Sequence, residues 1–318
     1  MTTIISIGSI NVDLQMRVDS RIGNQHMLTA RDFMRLAGGK AANVAFVARR
    51  LGHDSRLIGM VGDDDFGDEA LHPLRDMGVD VSGVRIAHGE PTAVSMIFVP
   101  PEGRKHIVLA HNANNVWPQP DLDAALRALG RAPRDSVVAI DCEIAQPACE
   151  ALVEEAVRRN LRVVLDPTPP ERAGTERMRE QWPKLLAATP NPEEAQQLTG
   201  IDVHDEDSAL AAARMLHEHG IGIACVKLGD GGCVVAHADG AFTISTQAID
   251  AVDTTGAADA FCGALTVALA EHQPVGQAAR FATAAANLTV KTFGSQPAYP
   301  ARDDVERHAR TLDCGACA

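Results

Sequence analysis

Residues 253–261 read Asp253-Thr254-Thr255-Gly256-Ala257-Ala258-Asp259-Ala260-Phe261, and a long alanine-rich apolar segment follows them. The spacing predicts a helix over Ala257–Glu271 whose first turn carries only small residues at Gly256–Ala258. Such a helix start suits a phosphate, because its unpaired backbone N–H groups and the helix dipole favour negative charge. Asp259 falls in the same turn, where a carboxylate can accept a proton from an alcohol that attacks a phosphoryl group. A structural interpretation is equally open, with Asp253 as an N-cap or loop acid and Asp259 matching the dipole.

Upstream of this stretch, strand-like and helix-like segments alternate along most of the chain. The predicted strands are Thr3–Ile10, Ser55–Val61, Val137–Ile140, Val163–Leu165 and Ile223–Leu228. The predicted helices are Lys40–Leu51, Gly67–Met77, Pro147–Arg159, Glu176–Ala187, Asp207–His219 and Val275–Thr292. This alternation predicts an α/β protein built from βαβ units on a mostly parallel sheet.

Two regions interrupt the alternation with strand character and no helix between the strands. The first is Gln25–Leu36, and the second is a hairpin over Thr92–Ala110 that turns at Pro100–Gly103. These strands predict a small separate sheet beside the main one. A further hairpin is predicted over Gly231–Ser245.

Composition excludes several classes of protein. The 318 residues carry 29 basic and 42 acidic side chains, a net charge of −13, which argues against a general electrostatic grip on nucleic acid. No apolar run approaches 18 residues, so no membrane span is expected, and the N-terminus lacks the layout of a signal peptide, which favours the cytoplasm. Five of the seven cysteines sit in apolar or helical contexts as reduced core thiols, whereas Cys314 and Cys317 are expected in a frayed tail.

Three further segments place polar or flexible residues where a ligand could bind. Gly38-Gly39-Lys40-Ala41-Ala42-Asn43 precedes a helix, although the same glycines would serve an ordinary turn. Gly8–Asp13 lies at the end of the first predicted strand, where Asn11 and Asp13 could bracket hydroxyl groups or form a turn. Asn191-Pro192-Glu193-Glu194 reads either as a helix capping box or as a site that holds Mg²⁺ through water.

Together, the Gly38–Asn43, Asn191–Glu194 and Asp253–Asp259 segments resemble the ribokinase-like carbohydrate kinases, the PfkB family, in composition, order and separation. The resemblance extends from Ile5 to about Pro300. It implies a three-layer α/β/α sandwich with a mostly parallel central sheet and a small β-sheet lid. It implies one kinase domain over residues 1–318, with lid segments at about 14–36 and 92–110. The implied activity is transfer of the ATP γ-phosphate to a primary alcohol of a sugar or nucleoside.

The resemblance also assigns roles residue by residue. Asp259 matches the catalytic base, and Gly256, Ala257 and Ala258 match the backbone anion hole. The positions that match sugar-binding residues of the ribose-phosphorylating members are Asn11, Asp13, Gly39, Lys40, Asn43, Glu143 and Asp259. The nucleotide-binding positions are Asn191, Lys227, Gly229 and Gly231, with Glu194 acting on Mg²⁺ through water. Asp253 and Thr255 match a monovalent-cation site, expected to take K⁺ as an activator, which the Phe293–Ser295 loop completes.

Two departures from the family pattern and the choice of substrate remain open at this point. Ala258 and Ala41 stand where glycine is usual, and a methyl group there is tolerable only with helical backbone angles. The chain has two tryptophans, one tyrosine and eight phenylalanines, few for a shelf under a nucleobase, which favours a free sugar such as D-ribose. The alternatives are a nucleoside kinase (adenosine, inosine, cytidine or pseudouridine), a kinase of fructose or 2-keto-3-deoxygluconate, and a sensor that binds sugar without turnover. An open edge of the lid sheet predicts a homodimer.

Overall fold

The computed structural model describes residues 2–21, 23, 26–100, 105–247 and 249–316. Three features of the sequence analysis fall outside these residues. They are Gln25 at the start of one predicted lid segment, most of the predicted turn at Pro100–Gly103, and Cys317 of the C-terminal cysteine pair.

The central strand β1 (Thr3–Ile7) shows why helices cover both faces of the large sheet. Its side chains are all buried and alternate between the faces, so that Ile4 joins one hydrophobic cluster while Ile5 and Ile7 join another. A strand buried on both sides needs a helical layer on each side, which is the physical basis of a parallel α/β sheet.

The large sheet has ten strands within the described ranges. In spatial order they are β14 (Asp313–Ala316), β13 (Gly240–Ser245), β12 (Cys233–His237), β11 (Ile223–Lys227), β10 (Ala187–Ala188), β9 (Arg162–Asp166), β8 (Val137–Asp141), β1, β4 (Asp54–Gly62) and β5 (Asp80–Ala87). Seven neighbouring strands in this order run parallel to one another: β11, β10, β9, β8, β1, β4 and β5. Strands β12, β13 and β14 continue the sheet with antiparallel pairing. The predicted hairpin over Gly231–Ser245 is therefore confirmed.

The helices form one layer on each face of this sheet. On one face lie α1 (Lys40–Arg50), α2 (Asp65–Met77), α9 (Ala257–Ala270), α10 (Val275–Thr289) and α11 (Arg302–Ala309). On the other lie α3 (Gln119–Gly130), α4 (Gln146–Arg158), α5 (Pro170–Ala173), α6 (Glu176–Arg179), α7 (Pro192–Thr199) and α8 (Glu206–Glu218). The predicted three-layer α/β/α sandwich is confirmed. No helix among the described residues is long and apolar enough to cross a membrane.

A second, four-stranded sheet lies apart from the first. Its order is β3 (Ala30–Gly38), β2 (Asn11–Val18), β6 (Ala93–Val99) and β7 (His106–Ala110). Strand β2 pairs antiparallel with β3 and parallel with β6, while β6 and β7 form the predicted hairpin. The small sheet expected from the two irregular regions is present, and it also includes residues 11–18.

The predicted helix over Glu176–Ala187 is wrong. Helix α6 ends at Arg179, a 3₁₀ turn spans Trp182–Lys184, and Ala187–Ala188 form strand β10. Pro183 has no N–H group to continue a helix. The apolar residues that follow are buried between β9 and β11, with which β10 pairs in parallel.

Both ends of the chain also differ from the sequence analysis. The first strand ends at Ile7 rather than Ile10, so Asn11 and Asp13 lie on β2 of the small sheet and not at the end of β1. Residues 313–316 are not frayed, because they pair antiparallel with β13, with Cys314 opposite Ile244. The five remaining cysteines are buried and free, as expected: Cys142, Cys149, Cys225, Cys233 and Cys262.

Candidate active site

The carboxyl ends of the central parallel strands and the first turn of α9 converge on one cluster of polar side chains. Asp141 ends β8 and Asp166 ends β9, and the two lie opposite each other in the sheet register. Ligands of open α/β sheets collect at this edge of the sheet. The candidate site is therefore where the fold class places one, and its principal carboxylate is Asp259.

Asp259 sits in the first turn of α9 and is buried. Its Oδ2 accepts a hydrogen bond of 2.7 Å from Asn43 Nδ2, and its Oδ1 lies 3.7 Å from Lys40 Nζ. Burial raises the pKa of Asp259, while Lys40 and Asn43 act in the opposite direction. A carboxylate with a raised pKa is a better proton acceptor than an exposed aspartate.

Lys40 links Asp259 to a second buried acid. Its Nζ lies 3.4 Å from Asp166 Oδ2. Burial of the ammonium group lowers the pKa of Lys40, but the negative charges of Asp166, Asp259 and Glu143 raise it by more. The pKa of Lys40 is therefore well above its ordinary value, and the side chain stays charged. In Asp166 the same contact has the reverse effect, because Lys40 and Lys227 overcome burial and lower the pKa of the carboxyl group.

The first turn of α9 has the open backbone that the sequence predicts. Gly256 is its N-cap with φ +76°, and a Cβ at that position would lie 2.6 Å from the Tyr299 hydroxyl and 2.9 Å from Ser295 Cβ. Glycine is therefore required both by the backbone angle and by space. Ala258 lies inside α9 and Ala41 inside α1, and neither has a positive φ. Both alanines thus meet the helical condition under which a methyl group is tolerated.

The small sheet forms one wall of the site through β2. Asn11 donates to Ser95 Oγ at 3.2 Å and accepts from Asn114 Nδ2 at 2.8 Å, so its carboxamide is fixed in orientation. Asp13 lies two residues further along the same face and is buried. Burial raises its pKa to about 7, with smaller effects from Ser95, which lowers it, and Asp259, which raises it.

A second wall comes from the loops after β1 and β8. Ser9 Oγ donates to Glu143 Oε2 at 3.1 Å and accepts from the Lys40 N–H at 2.9 Å. Burial raises the pKa of Glu143, and Lys40 opposes that effect. Gly39, with φ +94°, is the N-cap of α1 and brings the Lys40 N–H close to Ser9. Contacts and charge effects thus bring the seven predicted sugar-binding residues into one cluster between the small sheet and the ends of the central strands.

A groove of about 340 Å³ lies beside the first turn of α9, and all four predicted nucleotide-binding residues line it. Its lining includes Asn191, Lys227, Gly229, Gly231, Ala257 and Ala258. Gly231 has φ +94° and lies against Asn287, so it permits a close backbone approach that a side chain would block. The first turn of α9 therefore borders the groove through Ala257 and Ala258, whereas Asp259 contacts Asn43 and Lys40.

Asn191 and Glu194 form the capping box of α7. Asn191 Oδ1 accepts from the Glu194 N–H at 2.8 Å, and Glu194 Oε2 accepts from the Asn191 N–H at 2.8 Å. The structural interpretation of this motif is confirmed. The second oxygen, Oε1, accepts from Thr168 Oγ1 at 2.5 Å, which ties α7 to the loop after β9.

Asp253 organises the loop that leads into α9. Its Oδ1 accepts from the N–H and Oγ1 of Thr255, and its Oδ2 accepts from Gln15 Nε2 and the Gly294 N–H. Burial opposes ionisation, but these four donors lower the pKa of Asp253. Asp253 is a loop acid, as the structural interpretation proposed, although it is not the N-cap of α9.

Sequence reasoning missed several residues of this cluster: Ser9, Gln15, Asp141, Asp166 and Thr168. A signal existed for Asp141 and Asp166, since each acid directly ends an apolar strand, where ligands of parallel sheets gather. Gln15 gave no signal, because its partner Asp253 is 238 residues away in the sequence.

Chemically, this arrangement suits transfer of an anionic group to a hydroxyl group. A buried carboxylate lies among polar side chains, and the backbone N–H groups of Ala257 and Ala258 belong to a helix start that borders the groove. The carboxylate can accept a hydroxyl proton, and the N–H groups can stabilise charge on the transferred group.

Comparison with known proteins agrees with this chemistry. The model of the pfkB family carbohydrate kinases matches residues 1–302. The ribokinase of Haemophilus influenzae is 30% identical over 307 residues, which cover 95% of this chain and 96% of that protein. The crystal structure of ribokinase from Thermotoga maritima has a TM-score of 0.81 at 27% identity, covering 98% of this chain and 99% of that one. The structure of Arabidopsis thaliana ribokinase complexed with ribose and ATP has a TM-score of 0.80 at 27% identity, covering 97% and 98%.

The fold and the site define an enzyme that transfers a phosphoryl group to an alcohol acceptor. The chain belongs to the pfkB family of carbohydrate kinases. The expected ATP-dependent sugar kinase activity is confirmed at that level, and a sensor without turnover is not supported.

Proposed function

We propose that this enzyme phosphorylates D-ribose on its primary hydroxyl group, with ATP as the donor and ribose 5-phosphate as the product. The observation that carries the proposal is the position of Asp259. It is held by Asn43 and Lys40 within the cluster of polar side chains, and the helix turn that carries it borders the groove through Ala257 and Ala258. A small polyol suits that cluster, because fixed amide and carboxylate groups such as those of Asn11 and Asp13 bind hydroxyl groups.

In this proposal Asp259 accepts the proton of the attacking hydroxyl group. The backbone N–H groups of Gly256, Ala257 and Ala258 hold the transferred phosphoryl group, since the first N–H groups of a helix have no partner within the helix. The sugar-binding residues are Asn11, Asp13, Gly39, Lys40, Asn43, Glu143 and Asp259. Lys40 supplies fixed positive charge near the phosphoryl group, and its raised pKa keeps that charge in place.

ATP is proposed to lie in the 340 Å³ groove, with its phosphates toward α9. Asn191, Lys227, Gly229 and Gly231 line the groove and would contact the nucleotide. The charge of Lys227 acts to lower the pKa of both Asp166 and Asp259, which supports a place for it near the centre of the proposed site. An ammonium group there would offset phosphate charge.

Mg²⁺ is proposed to act with the nucleotide, where it would neutralise charge on the β- and γ-phosphates. The described residues contain no group of three or more histidine, cysteine or acidic side chains that could hold a metal ion alone. That fits an ion bound mainly by phosphates and water, which is the usual mode for Mg²⁺ beside nucleotides. The buried carboxylate of Glu194 is the residue proposed to orient that water.

K⁺ is proposed to bind beside Asp253 and Thr255, next to residues 293–295, and to order the loop before α9. Two observations support the fit. Asp253 is a buried carboxylate whose four donors are all uncharged, and Gln15 Oε1, an amide oxygen of the kind K⁺ accepts, is buried without a partner. Phosphorylation rates in K⁺ and in Na⁺ buffers at equal ionic strength test this, and equal rates with no dependence on either concentration would remove the cation site.

We further propose that residues 1–318 act as one kinase domain, and that the small sheet serves as a lid over the sugar. The predicted lid segments, about 14–36 and 92–110, overlap its four strands. A cytoplasmic location stays a prediction.

A homodimer is proposed through the outer face of the small sheet. Phe33, Met96 and Val108 lie on the face opposite Asn11 and Asp13 and are 54%, 43% and 61% exposed. An apolar patch of this kind on a chain with a net charge of −13 marks an interaction surface. Because the same patch is presented by every copy, a two-fold axis would bury it against itself.

One observation favours a second acceptor class. Ile107 is 51% exposed and shares the face of the small sheet that carries Asp13 and Gln15. Such a residue would offer an apolar surface to the base of a nucleoside.

The experiment is an ADP-release assay with MgATP. The acceptors are ribose, deoxyribose, fructose, 2-keto-3-deoxygluconate, adenosine, inosine, cytidine and pseudouridine. Ribose should give the highest kcat/KM. Deoxyribose should be much poorer, because a site that binds a hydroxyl group leaves buried polar groups unpaired when that hydroxyl is missing. A nucleoside that exceeds ribose tenfold would replace the proposal with a nucleoside kinase.

A further inference from the structure

Gln15 lies on β2, on the same face of the small sheet as Asn11 and Asp13, and its side chain is completely buried. A buried carboxamide is costly unless it is hydrogen-bonded. Its Nε2 donates to Asp253 Oδ2 at 2.9 Å, while its Oε1 has no partner among the described atoms. The side chain is therefore placed for one contact, and that contact is with the loop before α9.

Asp253 also contacts the 293–295 loop and the turn that leads into α9. The oxygen that accepts from Gln15 also accepts from the Gly294 N–H at 2.9 Å. The other oxygen accepts from the N–H and Oγ1 of Thr255, at 2.9 and 2.7 Å, one residue before Gly256. A single carboxylate thus joins the small sheet, the 293–295 loop and the turn that exposes the N–H groups of α9.

Three more contacts join the small sheet to the 293–295 loop. The Arg17 guanidinium lies 5.3 Å from the centre of the Phe293 ring. Ser295 Oγ donates to the Ala37 carbonyl at 3.4 Å, and Leu36 lies against Gly294. Gln15 makes a different contact, because among the described residues of the small sheet it is the one that donates to the Asp253 carboxylate, which also accepts from Thr255.

We propose that Gln15 is a positioning residue that couples the small sheet to the backbone anion hole of α9. When the sheet covers the sugar, Gln15 completes the set of donors on Asp253, and Asp253 then fixes Thr255 and Gly256. When the sheet moves away, Asp253 loses a donor that offsets its burial, and the loop loosens. The phosphoryl-binding N–H groups are therefore in place only while the acceptor is covered, which limits transfer of phosphate to water.

The proposal rests on the anion-hole role assigned to Gly256–Ala258 above. It does not depend on which sugar is the substrate. Hydrogen exchange measures the coupling without substrate or turnover, so it remains informative if the assignment of ribose fails.

The test compares the intact wild-type protein with Gln15→Met, which keeps length and removes the donor, and Gln15→Glu, which keeps shape and adds like charge beside Asp253. Arg31→Gln is the matched control, because Arg31 lies on β3 and pairs with Asp19 at the exposed side of the sheet. Amide exchange of residues 253–258 and 293–295 is measured without ligand, with residues 137–158 as the internal reference. The kcat and the KM for ATP are measured with D-ribose.

Both Gln15 variants should speed exchange in 253–258 and 293–295 about tenfold while exchange in 137–158 stays unchanged. We expect kcat to fall about tenfold or more, while the KM for ATP stays within about threefold of the wild-type value. The hydrogen bond from Gln15 to Asp253 positions the N–H groups that act in the transition state, so its loss lowers kcat more than it changes KM. Gln15→Glu should be the worse variant, and Arg31→Gln should match the wild type in every measurement. Unchanged exchange in 253–258 would overturn the proposal, and so would faster exchange spread equally over 137–158, which indicates general destabilisation. If no acceptor is phosphorylated by the wild type, the proposed function fails while the exchange result still decides the coupling.

Discussion

At the scale of single residues, the chemistry of Asp259 is set by its neighbours more than by its own type. Burial favours its protonated form, while Lys40 and Asn43 favour the carboxylate. Burial predominates, so the pKa of Asp259 is raised and its carboxylate is a better proton acceptor. Gly256 contributes in a different way, because no other residue fits between Tyr299 and Ser295 at its φ of +76°.

Replacing Asp259 with asparagine should lower kcat by about 100-fold or more and leave sugar affinity nearly unchanged. Asparagine has the same shape and keeps one oxygen that can accept from Asn43. The measurement is ADP release with ribose, together with ribose binding by calorimetry. Asp303→Asn, an exposed acid in the first turn of α11, is the matched control and should behave as the wild type. Turnover near the wild-type rate in Asp259→Asn would remove this residue from the mechanism.

Asp13 should make the stability of the protein depend on pH. Its pKa is raised from 3.8 to about 7, so the folded state binds a proton more tightly than the unfolded state does. Its contribution to stability is therefore complete below pH 4 and is lost as the pH rises through 7. At pH 8 the buried charge costs at most about 4 kcal/mol.

Asp13→Asn removes this titration and is the variant to measure. Without ligand, the variant should have a higher Tm than the wild type at pH 8. This difference in Tm should be several degrees larger at pH 8 than at pH 5. Thermal unfolding at both pH values decides the point. A difference between the two proteins that does not change with pH would show that Asp13 titrates normally in the folded state.

At the scale of elements, the first turns of helices supply several of the polar side chains of this site. Helices α1 and α9 contribute Lys40, Asn43 and Asp259 from their first turns, and α7 contributes Glu194. The start of α7 combines two properties, because its capping box satisfies backbone groups while the second oxygen of the buried Glu194 side chain accepts from Thr168. A cap needs only an acceptor oxygen, whereas the proposed action on Mg²⁺ needs the charge.

Glu194→Gln separates these two properties. The amide oxygen can still accept from the Asn191 N–H, so the free energy of unfolding should change by less than about 1 kcal/mol. The Mg²⁺ concentration for half-maximal activity should rise about fivefold or more, since a carboxylate is a far better partner for magnesium-bound water than an amide. Denaturant unfolding and a Mg²⁺ titration are the measurements. A stability loss without any shift in the Mg²⁺ requirement would leave Glu194 as a cap alone.

At the scale of the whole molecule, the two sheets differ in how they are covered. The large sheet has helices on both faces, whereas the small sheet faces the site on one side and leaves apolar side chains exposed on the other. Antiparallel sheets normally expose a polar face to water. The outer face of the small sheet, with the exposed Phe33, Met96 and Val108, is therefore the surface that we propose a second copy covers.

Met96→Lys should shift the protein from dimer to monomer, because a charge at the centre of a self-paired apolar face would meet its own copy across the two-fold axis. Light scattering after size exclusion at micromolar concentration gives the mass directly. Val252→Lys is the control, since Val252 is 61% exposed and lies outside the small sheet. A wild type that elutes as a monomer would refute the dimer, and a Met96→Lys variant that stays dimeric would place the interface elsewhere.

Features that depend on neighbouring residues or on periodic patterns were predictable from the sequence. Alternating apolar segments predicted the layers, and the small residues before Asp259 predicted the helix start, because helix capping and apolar periodicity are local properties. The resemblance of three motifs to the family also predicted that residues from three distant parts of the chain form one site. The local pattern failed at Glu176–Ala187, where the short strand β10 is held by its neighbours β9 and β11 rather than by its own propensity.

The packing of the two sheets, rather than any local pattern, determines which side chains meet. It placed Asn11 and Asp13 on the small sheet, joined Lys40 to Asp166, and brought Gln15 to Asp253 across 238 residues of sequence. It also raised the pKa of Asp13 and Asp259 by burying them, which no local pattern states. The physical reason is that desolvation and charge coupling depend on distances between atoms, and those distances are fixed by packing of the two sheets rather than by separation along the chain.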